Sequence, residues 1–98
     1  RAGGITGFRE VVAAVEHAQL WFNAHAWSSA IVTAASLALS LSSRRCLYFE
    51  LKPLENPLQN ELVRDPLWHE NGYIEASDAP GLGVDVDESI VRKYRVQR

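Results

Sequence analysis

The stretch Leu20-Trp21-Phe22-Asn23-Ala24-His25-Ala26-Trp27-Ser28-Ser29 decides the architecture of this chain. Leu20 to Ala24 is a short, mostly apolar run with two aromatics, of suitable length for a buried strand. His25 stands at its far end. Ser28 or Ser29 can then cap a helix running to about Ser42, because a serine hydroxyl accepts one of the backbone N–H groups left free in the first turn. That helix is apolar on most of its circumference, so both its sides must be covered by other protein. Arg44 and Arg45 at its tail suit the helix dipole.

On the N-terminal side, Gly3-Gly4-Ile5-Thr6-Gly7 reads as a turn opening a helix, with Thr6 as its cap and Phe8, Val11, Val12 and Val15 on one face. On the C-terminal side, Cys46 to Leu51 reads as a second strand, which Lys52-Pro53 stops because proline cannot donate to a ladder. Helix, strand, helix, strand is the order expected of the α/β class with a parallel sheet. From Pro53 to Pro80 the texture changes to prolines, asparagines and glycine, an irregular connection with a helical turn around Leu58 to Val63. Tyr73 to Ala76 is a short strand candidate, and Asp87 caps a last helix carrying Ile90, Val91 and Tyr94. The reading divides the chain into residues 1–52, a layered α/β segment, and 53–98, a C-terminal extension.

Composition narrows the function. The 98 residues form one small domain or a piece of a larger one, too few for a complete (β/α)8 barrel of roughly 250. Ten Lys plus Arg against twelve Asp plus Glu leave a net charge of −2, so no basic footprint for nucleic acid or an anionic membrane is present. Ala30 to Leu41 is twelve residues long, short of the roughly 20 that cross a bilayer. A single cysteine, Cys46, fits a reducing compartment, and a cytoplasmic location is expected. The chain starts at Arg1 without methionine or a signal-like segment, which reads as a partial frame.

Alternation along a strand puts His25 on the side of Asn23 and Trp21, and Glu50 on the side of Tyr48 and Cys46. Both ionisable groups fall at the C-terminal ends of their strands, where parallel α/β folds bind ligands. An imidazole and a carboxyl at adjacent strand ends make a proton-transfer pair. On pattern alone each has a second reading: a structural histidine, and a solvated strand terminus before proline. Trp27 either lines a pocket or covers the start of the helix. His17 and His69 read as surface or loop residues, Glu61, Arg64 and Asp65 as a solvated face. No metal-ligand spacing occurs.

Taken in order, Arg1-Ala2-Gly3-Gly4-Ile5-Thr6, Asn23-Ala24-His25-Ala26-Trp27-Ser28-Ser29, Leu47-Tyr48-Phe49-Glu50, Glu55-Asn56-Pro57-Leu58 and Pro80-Gly81-Leu82-Gly83-Val84 with Asp87-Glu88 resemble the C-terminal part of the mandelate racemase/muconate lactonizing enzyme group of the enolase superfamily. The resemblance runs nearly end to end and points to the acid-sugar dehydratases of the mandelate racemase subgroup. It implies a C-terminal fragment of a (β/α)8-type barrel, with Leu20–Ala24 as strand seven and Cys46–Leu51 as strand eight, followed by an irregular extension. By that resemblance His25 is the general base that removes, or the acid that returns, the proton α to a carboxylate. Glu50 hydrogen-bonds the substrate carboxylate as it becomes an enediolate, and Trp27 contributes to substrate binding. A proton beside a carboxylate is so weakly acidic that a dication and a hydrogen-bond donor must hold the resulting dianion.

The family uses Mg2+, whose acidic ligands belong to strands outside this chain, as does an Asp five residues before Gly3 that orients the histidine. The implied partners are a small-molecule carboxylate, an acid sugar, and either a second copy or the rest of the barrel, with no nucleic acid and no membrane. With half the constellation elsewhere, these 98 residues are expected to be inactive alone. Two departures from the family bear on pocket shape: Gln19 replaces a common glycine, and Asn23-Ala24 a pair of a small residue and proline. The alternative expectation is a non-catalytic remnant that docks on another chain through open strand edges and apolar helix faces.

Overall fold

A computed structural model describes residues 2–96. Four helices follow one another along them: α1 (Gly4–His17), α2 (Ala30–Leu41), α3 (Pro57–Asn60) and α4 (Glu88–Lys93). Helix α1 begins earlier than its threonine suggests. Gly3 and Gly4 take left-handed backbone angles, φ 77° and 71°, so the chain enters the helix at Gly4 and Thr6 lies inside it, not at its cap. A Cβ at Gly7 would run into the Ala2 carbonyl oxygen, which keeps that position a glycine. Phe8 meets Phe22 edge to face at 5.8 Å, and Val12 is buried, whereas Val11 is exposed. Only part of the expected apolar stripe is therefore covered.

The end of α1 accounts for Gln19. The Leu20 N–H donates to the Val15 carbonyl and the Gln19 N–H to that of Glu16, the pairing of a Schellman ending with Gln19 at its left-handed position, φ 55°. A side chain there costs about 1–2 kcal/mol that glycine avoids. Gln19→Gly should raise stability by about 1 kcal/mol, read as a higher urea midpoint at unchanged slope. An unchanged or lower midpoint would contradict the strain.

Helix α2 starts where its cap predicts: the Ser29 hydroxyl accepts the Val32 N–H. Ala30, Thr33, Ala34, Leu37 and Ser40 form its buried face, while Val32 and Leu41 stay exposed. No basic residue lies in its last turn; Arg45 instead stands over the Trp21 ring, 5.2 Å from its centroid.

The two strand expectations, Leu20 to Ala24 and Cys46 to Leu51, need correction. Both segments run extended, but no ladder forms among the described residues. They meet at one parallel bridge, His25 with Glu50, and at one bond from the Phe22 N–H to the Arg45 carbonyl, 3.1 Å. One bridge and one further bond fall short of the consecutive pairings that make a ladder. Tyr73 to Ala76 likewise forms no strand: Glu70 and Tyr73 exchange both backbone bonds across Asn71-Gly72, a tight turn whose two central residues have positive φ.

The extension is fastened by 62–64 lying against 85–87. Val63 bridges Val86, the Arg64 N–H donates to the Asp85 carbonyl and the Asp87 N–H to that of Leu62. Glu61 and Arg64, expected as a solvated face, pair with Lys93 at 3.1 Å and Asp85 at 2.9 Å. Asp87 caps α4 by accepting from the Ser89 hydroxyl and N–H.

Those two donors, the hydroxyl first, hold the Asp87 carboxyl below its ordinary value. The unfolded chain then binds this proton more readily than the folded one, so the stabilisation is present above the ordinary carboxylate pKa of about 4 and is lost on acidification through the lower folded value. Residues 88–93 should lose helical 13Cα shifts in that window, and Asp87→Asn should remove the pH dependence. A helix insensitive to acid would contradict the cap.

Candidate functional site

His25 and Glu50 close the two extended segments at equivalent ends, and their parallel bridge puts both side chains on one side. The His25 Nδ1 lies 2.9 Å from Glu50 Oε2. A carboxylate only accepts, so whenever Glu50 is in that form the contact places the hydrogen on Nδ1, and a neutral ring then has a free lone pair on Nε2. The side chains are 67% and 40% exposed, so neither group is sealed from a ligand. Trp27 stands beside the imidazole with ring centroids 5.2 Å apart at 32°. The three residues singled out from sequence are thus brought together. His17 and His69 lie elsewhere, the latter stacked on Trp68.

Beneath the pair, Asn23 crosses between the segments. With its amide oriented so that both ends are satisfied, the nitrogen donates to the Phe22 and Tyr48 carbonyls at 2.8 and 3.0 Å. Thr33 and Gln59, which no spacing in the sequence marks, are buried together behind the site, the Thr33 hydroxyl donating to Gln59 Oε1 at 2.9 Å. A cleft of about 640 Å³ opens between the end of α2, residues 46–51 and the 69–74 turn. Leu37, Leu41, Leu47, Phe49 and Leu51 line it, and His25 and Glu50 do not. Ser40, His69 and Tyr73 also reach it, so its lining is mixed.

Among the described residues no group of three or more His, Cys, Asp and Glu could hold a metal ion. The described residues by themselves therefore do not assemble a magnesium site. No helix of the described residues is long and apolar enough to cross a membrane.

Helix, extended segment ending in histidine, helix, and extended segment ending in glutamate define a piece of a layered enzyme fold. Residues 1–90 match the family described as "Enolase C-terminal domain-like", and the chain belongs to that family. It is 38% identical over 96 residues to a D-galactonate dehydratase family member of Streptomyces sp. (strain SPB074), covering 96% of this chain and 22% of the relative. A D-galactonate dehydratase family member of Streptomyces bingchenggensis (strain BCW-1) is 33% identical over 95 residues, 95% of this chain and 23% of its own length. Among solved structures, a candidate mandelate racemase from Bordetella bronchiseptica RB50, complexed with 2-oxoglutarate/phosphate, superposes with a TM-score of 0.92 at 33% identity. All of this chain and 26% of that one are matched. The chain thus corresponds to a C-terminal fragment of its enolase-superfamily relatives, spanning about a quarter of their length.

Proposed function

We propose that this chain is the acid–base end of an enzyme that abstracts the proton α to a carboxylate, an acid-sugar dehydratase or racemase. The contact that carries the reading is His25 Nδ1 to Glu50 Oε2 at 2.9 Å. His25 Nε2 takes the α proton, and the Glu50 oxygen against Nδ1 steadies the imidazolium that forms. In its protonated form Glu50 would serve the other role, donating to the substrate carboxylate as it becomes an enediolate, with the imidazolium then steadied by groups outside this chain. In a dehydratase the proton on Nε2 leaves with the β-hydroxyl as water; in a racemase a second acid, outside this chain, would deliver a proton to the opposite face of the carbon, and His25 would act as that acid in the reverse direction. Trp27 provides an apolar wall beside the ring. Magnesium enters at the family level, held by residues outside this chain, and no step here runs through it.

The reading places residues 1–52 as strands seven and eight of a barrel with their helices, and 53–98 as its extension, in a cytoplasmic protein. Surface area supports an unfinished packing unit: 7531 Å² is exposed, against about 5,600 Å² expected of a folded monomer of this mass. The Cα radius of gyration is 14.4 Å, against about 12.6 Å for 98 residues. Leu20, Trp21, Val32, Leu41 and Leu47 are among the uncovered side chains.

The test is reassembly. Alone, the purified chain should show no dehydration or α-proton exchange on sugar acids, and should sediment as an oligomer. Co-expressed with the N-terminal part of the Streptomyces sp. relative, it should form a complex that exchanges the α proton of D-galactonate in deuterated water. A well-behaved inactive monomer that ignores the N-terminal part would defeat the proposal.

A further inference from the structure

Two extended segments joined by one parallel bridge, one further backbone bond and the Asn23 amide have little to hold their register. A slip of one residue would turn the Glu50 side chain to the opposite face from His25. Something other than a ladder must set the alignment. Thr33 sits where the loops following the two site residues converge. Its hydroxyl lies 3.4 Å from the carbonyl of Ala26, the residue after His25, and 2.9 Å from Gln59 Oε1 on α3, the first helix after Glu50. The third neighbour is the Ser29 carbonyl at 3.2 Å, and the one hydroxyl proton is shared among the three acceptors with its shortest leg to Gln59.

Both side chains are almost completely buried, Thr33 1% and Gln59 2% exposed. The buried side chains nearby in sequence are Ala26, Ala30 and Ala34 beside Thr33, and Leu62 and Val63 beside Gln59. A glutamine buried in such a place serves a directional contact better than it serves packing, since a hydrophobic side chain of its size would fill the space without needing a hydrogen-bond donor.

We propose that Thr33 and Gln59 form a buried latch that fixes the register of the two site segments, making them positioning residues for the His25–Glu50 pair. The proposal rests on the proton-transfer reading of that pair. Fixing the Ala26 loop against α3 leaves Glu50 opposite Nδ1, which holds the neutral imidazole with its hydrogen on Nδ1 and Nε2 free. Without the latch the two segments lose their alignment.

The experiment labels the histidines of the 98-residue chain with 15N and reads the ring tautomer of His25 where the ring is neutral, with His25→Gln providing the assignment. Four variants are compared: Glu50→Gln, Thr33→Ser, Gln59→Leu, and Thr33→Val with Gln59→Leu. Replacing both members of a buried hydrogen bond by apolar groups is nearly neutral for stability, whereas Gln59→Leu alone takes from the hydroxyl its shortest contact. The apolar pair should therefore keep its unfolding midpoint, yet its ratio of Nδ1–H to Nε2–H should fall by roughly tenfold, the loss of one charge-assisted hydrogen bond. Thr33→Ser should retain the ratio. A folded apolar pair with an unchanged ratio would overturn the latch, and so would one that cannot fold, since the contact would then be a support of the fold alone. A ring whose tautomer ignores Glu50→Gln would instead sink the proton-transfer pair, and the latch with it.

Discussion

Replacing His25 by Asn in the reassembled enzyme should slow deuterium exchange at the α carbon by about 10²- to 10⁴-fold, the contribution of one well-placed general base. Asparagine keeps a polar group near Glu50 but offers no basic nitrogen, so the loss separates proton transfer from hydrogen bonding. The imidazole is mostly exposed and makes its side-chain hydrogen bond to Glu50 alone, so the thermal midpoint should hardly move. Mass spectrometry of the recovered substrate reads the exchange, and circular dichroism reads the fold. Exchange at the wild-type rate in a complex of normal stability would remove His25 from the chemistry. A collapse of the fold would mean instead that the ring is structural.

The second large effect concerns packing. The buried apolar side chains are Val12, Ala24, Ala26, Ala30, Ala34, Leu37, Leu62 and Val63, half of them alanines. Leu37, 2% exposed, is the more deeply buried of the two leucines among them. Leu37→Ala should cost about 2–5 kcal/mol, the lost transfer energy plus the cavity left behind. Whole domains of this size hold only about 5–15 kcal/mol, so the urea midpoint should fall steeply or the cooperative transition disappear. Leu41, one turn along the same helix but 61% exposed, is the control. Leu41→Ala should be nearly neutral in the chain alone and become costly once the N-terminal part is bound. Equal effects at both positions in the isolated chain would show that α2 is not packed through its Leu37 face.

Local rules were legible wherever a few neighbouring residues decide the outcome. Ser29 caps α2 and Asp87 caps α4 because each side chain reaches backbone N–H groups two or three residues away. Thr6 fails as a cap because Gly3 and Gly4 reach left-handed angles and let the helix start upstream of it. The two expected strands were read from apolar run length, which is a statement about burial. A ladder also needs consecutive backbone pairings with a neighbour, and apolar run length does not say whether they are there. Gln59 shows the opposite failure: a polar residue two places after a proline carries no pattern, yet it is buried against a hydroxyl 26 positions earlier.

Sequence alone determined the helices with their serine and aspartate caps, the placing of His25 and Glu50 at equivalent segment ends, and the family to which those motifs belong. Capping and alternation act over a handful of residues, and so they survive in a linear reading. Only the tertiary structure decided that Nδ1 meets Oε2 at 2.9 Å, that Trp27 flanks the ring, and that Thr33 and Gln59 lie buried together behind the site. Those contacts join residues far apart along the chain. Their geometry comes from how whole helices pack, which no local pattern encodes.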